Sequence, residues 1–107
     1  MNLEQFPNLD QFFGGYFHQD WDLEDTDAEA VLNRFLLEAK SSTVEQVCQE
    51  IDKLLAIKFD EKELSNILIY DLGCCYNPEF QKMSNRKWLD WLQSYLKKML
   101  QVTVKIG

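Results

Sequence analysis

Apolar side chains recur three and four residues apart through most of this chain, the period that places them along one face of an α-helix. The pattern is clearest in Val44, Val47, Cys48, Ile51, Leu54 and Leu55. It reappears in Leu9, Phe12, Phe13 and Tyr16, in Ala28, Val31, Leu32, Phe35, Leu36 and Ala39, and in Leu64, Ile67, Leu68 and Leu72. The last run (Trp88, Trp91, Leu92, Tyr95, Leu96, Met99, Leu100) is broad enough to be covered on two sides. Strand-like alternation is confined to Val102–Ile106, where no second strand is available to pair. Residues 102–107 are therefore expected as a frayed or docked tail. The predicted fold is all-α, a single compact bundle of about five helices spanning residues 1–107.

Local signals place the helix ends. Asn8 is suited to cap the first helix, and Thr26 with Glu29, Ser42 with Glu45 and Asp60 with Glu63 each have the spacing of a capping box. Gly73 stands where a left-handed C-terminal residue is wanted, and Pro78 blocks helix continuation in the loop from Cys74 to Met83. Ser84 can start the last helix, whose Lys97 and Lys98 complement the negative end of its dipole. Gly14 and Gly15 each weaken the first helix by roughly 1 kcal/mol relative to alanine, so they imply a closely packed neighbour or a bend.

Charge is distributed unevenly. Residues 1–38 carry nine acidic side chains against Arg34 alone, whereas the remainder is nearly balanced within a net charge of −7. Six carboxylates fall between residues 20 and 29 (Asp20, Asp22, Glu24, Asp25, Asp27, Glu29), with no lysine or arginine among them. Such a field repels phosphate backbones and attracts basic partners, which argues against direct nucleic-acid binding. Asp27 and Glu29 favour a helix start, but Asp20, Asp22, Glu24 and Asp25 have no local structural task. Docking of a cationic surface and a simply solvated acidic loop both account for them. No apolar run is long enough to span a membrane, and the N-terminus lacks a secretory signal, so a cytoplasmic protein is expected. The odd set of Cys48, Cys74 and Cys75, two of them adjacent, fits reduced thiols.

Catalytic readings are poorly supported. His18 is the only histidine; it has no glycine-framed nucleophile or second histidine near it in sequence. Its expected role is structural, its ring bonded to a carboxylate or backbone group at the exit from helix one. A metal site lacks a CxxC pair and enough ligands, so no metal or cofactor is expected. Trp88, Trp91 and Tyr95 have the spacing of a ligand-stacking platform and equally of a core stripe, and a chain this short needs them in its core.

Phe6-Pro7-Asn8-Leu9, followed by Phe12-Phe13-Gly14-Gly15-Tyr16-Phe17-His18-Gln19-Asp20-Trp21, resembles the opening of a bacterial immunity-protein family from contact-dependent growth inhibition systems. Ile69-Tyr70-Asp71-Leu72-Gly73-Cys74-Cys75-Tyr76-Asn77-Pro78 and Trp88-Leu89-Asp90-Trp91-Leu92 are similar to that family in the same order. The resemblance implies an all-helical cytoplasmic protein, not an enzyme, that is a monomer when free and binds one toxin domain delivered by a neighbouring cell. A basic nuclease toxin would meet Asp20, Asp22, Glu24 and Asp25, with Trp21 or Tyr76 adding desolvated contacts. Gly14, Gly15, Tyr16, Phe17, His18 and Gln19 would form the structural block behind them. The competing class is a helical adaptor for a basic peptide or helix. A small hydrolase using His18 and Cys75 is a third.

Overall fold

The computed structural model describes residues 6–106, apart from the side chains of Glu24, Glu79, Phe80 and residues 102–106. It is all-helical: α1 (Pro7–Tyr16), α2 (Trp21–Glu24), α3 (Ala28–Glu38), α4 (Ser41–Ala56), α5 (Glu61–Asn66) and α6 (Asn85–Ile106). A π-helical turn at Ile67–Asp71 continues α5, and a 3-10 turn at Pro78–Gln81 precedes α6. The four-residue α2 occupies a segment expected as loop, and the backbone of residues 102–106, expected as a tail, continues α6.

The long helices α4 and α6 pack on each other, with α1 against α4 and with α3 and α5 against α6. Trp88, Leu89, Leu92 and Leu96 of α6 are fully buried, as are Val47, Ile51 and Leu54 of α4. An aromatic cluster fills the centre. Phe12 meets Phe35 at 4.5 Å between ring centroids, Phe17 meets Trp88 edge-on at 5.4 Å, and Tyr76 stacks on Trp88 at 5.0 Å. Such pairs add to the area term of burying large rings.

Helix ends are finished largely by other helices. α1 begins at Pro7 after Phe6, which offers no capping side chain. Asn8 does not cap it: its amide group donates to Gln46 and Glu50 of α4 instead. The Glu50 carboxylate, only 5% exposed, also accepts from the backbone N–H of Leu9 at 2.8 Å and of Asn8 at 3.3 Å. Glu61 of α5 does the same for α6, accepting from the N–H groups of Asn85 and Arg86 at 2.7 and 3.1 Å. At the far end of α4, the Arg86 guanidinium donates to the carbonyls of Leu55, Ile57 and Phe59. These contacts supply first-turn donors and last-turn acceptors with the partners that a helix cannot give itself.

The capping box at Asp60 and Glu63 is present in full. By contrast, α3 is capped by Asp27, whose carboxylate accepts from Ala30 N–H at 2.8 Å, in place of the Thr26–Glu29 box. α4 starts after Lys40 with no side-chain cap, so Ser42 and Glu45 form no box. Ser84 Oγ accepts from Lys87 N–H at the start of α6, as its position implied. Gly73 has φ +70°, a left-handed conformation that disfavours any side chain, and it closes the π turn.

Gly14 and Gly15 are exposed within an unbroken helix, and a methyl group added at either would meet nothing within 4 Å among the described residues. No tight neighbour on the side a methyl group would occupy explains them, although the Gly14 backbone lies close to Gly73. Gly15→Ala is accordingly expected to raise unfolding free energy by about 0.5–1 kcal/mol, read as a higher urea midpoint. A lower midpoint would show an unfavourable contact at that site.

Candidate functional site

The acidic segment emerges from the aromatic core through a short, well-anchored turn. Phe17, fully buried, accepts a hydrogen bond on its carbonyl from Cys75 N–H at 2.7 Å. His18 follows, and its Nδ1 accepts from the backbone N–H of Asp20 at 3.1 Å. The ring thus orients the backbone that enters α2, in agreement with a structural histidine bonded to a backbone group. Trp21 opens α2, half-buried, with its ring 5.1 Å from Tyr76 in an edge-on contact and 6.3 Å from Phe17.

The carboxylates of this segment separate by role. Asp20 and Asp22 are exposed. The backbone of Glu24 ends α2, while its side chain lies outside the described residues. Asp25 has a structural task that the sequence did not reveal. Both of its oxygens accept from Arg34 of α3, the shortest contact being 2.9 Å, and its side chain is only 9% exposed. The same guanidinium lies 4.7 Å from the centre of the Tyr16 ring and reaches Glu38, which accepts from the Tyr16 hydroxyl at 2.8 Å. Burial, then the hydrogen bond and negative charge of Glu38, push the Tyr16 phenol up to about 12. This network joins the ends of α1 and α2 to α3. Leu23, 82% exposed, stands out between the acids as an apolar knob.

Tyr76 is mainly a core ring, 6% exposed, and its hydroxyl donates to Gln81 Oε1 at 2.7 Å. Trp88 N–H donates to the same oxygen at 3.0 Å. Trp88 and Trp91, alike in helical period, part company. Trp88 is fully enclosed, whereas Trp91 is half-buried beside Tyr95 and lines an open cavity of about 440 Å³. Trp21, Tyr76, Asp22, Asp27 and Glu29 line the same cavity. The structure therefore joins Trp21, Asp22 and Tyr76 in one place, and adds Trp91, Asp27 and Glu29, whose helical spacing and helix-start positions had accounted for them. Of the structural block, Gln19 is exposed and Tyr16 half-buried.

All three cysteines are free thiols. Burial pushes Cys48 up to about 11 and Cys74 up to about 12, which keeps both protonated and unreactive near neutrality. Cys75 is exposed, and its sulfur lies 3.9 Å from the Gly73 carbonyl. Among the described residues no group of three or more potential ligands gathers to hold a metal ion, and no helix is long and apolar enough to cross a membrane.

Residues 5–96 match the family described as CdiI immunity protein. Among solved structures, the chain is similar to a chain in the crystal structure of the CdiA-CT/CdiI complex from Y. kristensenii 33638. The two share 27% identity over 89% of this chain and 96% of that one, with a TM-score of 0.82. No match is found among curated proteins.

Proposed function

The chain belongs to the CdiI immunity protein family, and we propose that its toxin-neutralising role is carried by the acidic edge built around α2. The partner is the cognate C-terminal toxin domain of a contact-dependent growth inhibition protein, bound one to one in the cytoplasm, and inhibition needs no catalysis by this chain. The single observation that carries the neutralising role is the family match over residues 5–96. The edge is favoured by exposed Asp20 and Asp22 leading into exposed Leu23, all held by a backbone that His18 and the Asp25–Arg34 pair fix in place. A surface shaped before contact loses less freedom on docking. An anionic edge complements a surface that itself attracts polyanions, so a basic nuclease is the toxin class that fits.

In this reading Asp20, Asp22 and Glu24 steer the encounter, while Trp21 adds desolvated contact and Tyr76, buried behind it, supports the Trp21 ring. Asp25 contributes by holding α2 against α3. The test is the association rate of the toxin domain encoded by the adjoining reading frame. Replacing Asp20, Asp22 and Glu24 by their amides is expected to slow association roughly 10-fold at low salt and to flatten its salt dependence. Melting temperature should stay near native, since Asp25 is left intact. Unchanged association kinetics would remove this edge from the interface.

A further inference from the structure

We propose that the cavity between α2, the start of α3 and α6 receives one arginine side chain from the toxin domain, and so acts as the anchor point of the complex. This deepens the docking role above and rests on it. The cavity, about 440 Å³, falls within the size range of small-ligand sites. Its walls are the rings of Trp21, Tyr76 and Trp91, and the exposed carboxylates of Asp22, Asp27 and Glu29 stand at its mouth. Among the described residues no lysine or arginine lines it.

Three lining carboxylates make the field at the cavity negative, and phenols in and beside it are shifted in the matching direction. Tyr76 is held above its ordinary range first by burial and then by the charge of Asp27. Tyr95, beside Trp91, is raised by burial and then by the charge of Glu29, with a further contribution from Asp27. The carboxylates also keep unused acceptor capacity. Asp27 gives one oxygen to Ala30 N–H, and Glu29 makes only a 3.5 Å contact with the Tyr95 hydroxyl.

These features select the occupant. An apolar side chain would satisfy the rings but bury the carboxylates beneath a partner with no counter-charge. A second copy of this chain would bring the same negative edge, within a net charge of −7. Lysine offers a compact, strongly hydrated point charge. Arginine is more weakly hydrated, stacks its plane on aromatic faces and forks onto carboxylates. It is also enriched among residues that dominate interface energy.

The experiment compares the toxin domain's dissociation from native protein and from two variants. Asp27→Ser with Glu29→Gln removes two charges while serine retains an N-cap; Trp91→Leu removes a wall. Each is expected to speed dissociation by about 30-fold or more; association is little changed for Trp91→Leu and slowed much less than dissociation is sped for the charge variant. In parallel, N-acetyl-arginine-amide added to the free protein is expected to shift the indole N–H resonances of Trp21 and Trp91 but not of Trp88. Native dissociation rates in both variants overturn the pocket and leave the immunity reading intact. A norleucine amide that shifts those resonances as strongly as the arginine probe also overturns it, since the occupant would then be apolar. A toxin domain that does not bind the native protein overturns the docking reading and this inference together.

Discussion

Glu50→Ala is expected to lower the unfolding free energy by about 3 kcal/mol, a large effect for a single polar residue. Pro7 has no N–H, and Phe6 has no group to cap α1. The next two backbone donors, on Asn8 and Leu9, both go to the Glu50 carboxylate, as does the Asn8 side chain at 2.7 Å. Hydrogen bonds to a charged group contribute about 1.5–3 kcal/mol each, and the cost rises when buried donors are left unpaired. A negative group at a helix N-terminus adds about 0.3–1 kcal/mol, and more where partly buried. Glu50→Gln keeps an acceptor oxygen and loses the charge, so a loss of about half that size is expected. Urea denaturation of both variants is the check. A native midpoint for the alanine variant would mean that water replaces the carboxylate without loss.

Trp88→Ala should cost more, about 3–5 kcal/mol, because the indole is fully buried and nothing nearby is free to collapse into its place. Its ring stacks on Tyr76 with a 20° interplanar angle and on Phe13 at 6.0 Å, and its N–H holds Gln81. Trp88→Phe retains most of the packing but leaves Gln81 with Tyr76 as its partner, so about 1–2 kcal/mol is expected. The substitution also reaches the proposed docking cavity, since Tyr76 and Gln81 line it next to Trp21. Calorimetry of the variants together with toxin affinity separates the two effects. A melting temperature for Trp88→Ala within a few degrees of native would contradict its central position.

Helical period made the bundle legible because every long element has one continuous apolar face. Local chemistry was legible at Asp60 with Glu63 and at Gly73, but one-turn spacing alone did not decide it, since α3 starts one residue past Thr26 on Asp27 and α4 starts before Ser42 with no side-chain cap. It failed where the partner comes from elsewhere in the chain. Asn8 has the composition of a cap, yet its amide is drawn to residues 38 and 42 positions away. Asp25 looked free because Arg34 is nine positions on and belongs to another helix. Ile67–Asp71 reads as ordinary helix, since one added residue in a turn leaves the apolar period nearly unchanged. Trp88 and Trp91 are indistinguishable by spacing. Only the packing of Phe13, Phe17, Tyr76 and Gln81 encloses Trp88, while Trp91 is left at the cavity wall.

The borrowed caps also bear on how this protein comes into being. Neither α1 nor α6 possesses a finished beginning until α4 and α5 have settled beside them. A partly assembled chain would lose these partners at two helix starts, and at the buried Glu50 that loss is penalised because water does not replace it as well. Assembly is thereby driven toward an all-or-none event. For a guardian that must be ready before an intruder arrives, a population divided only between complete and unfolded copies leaves no half-built species to meet the toxin with a distorted surface.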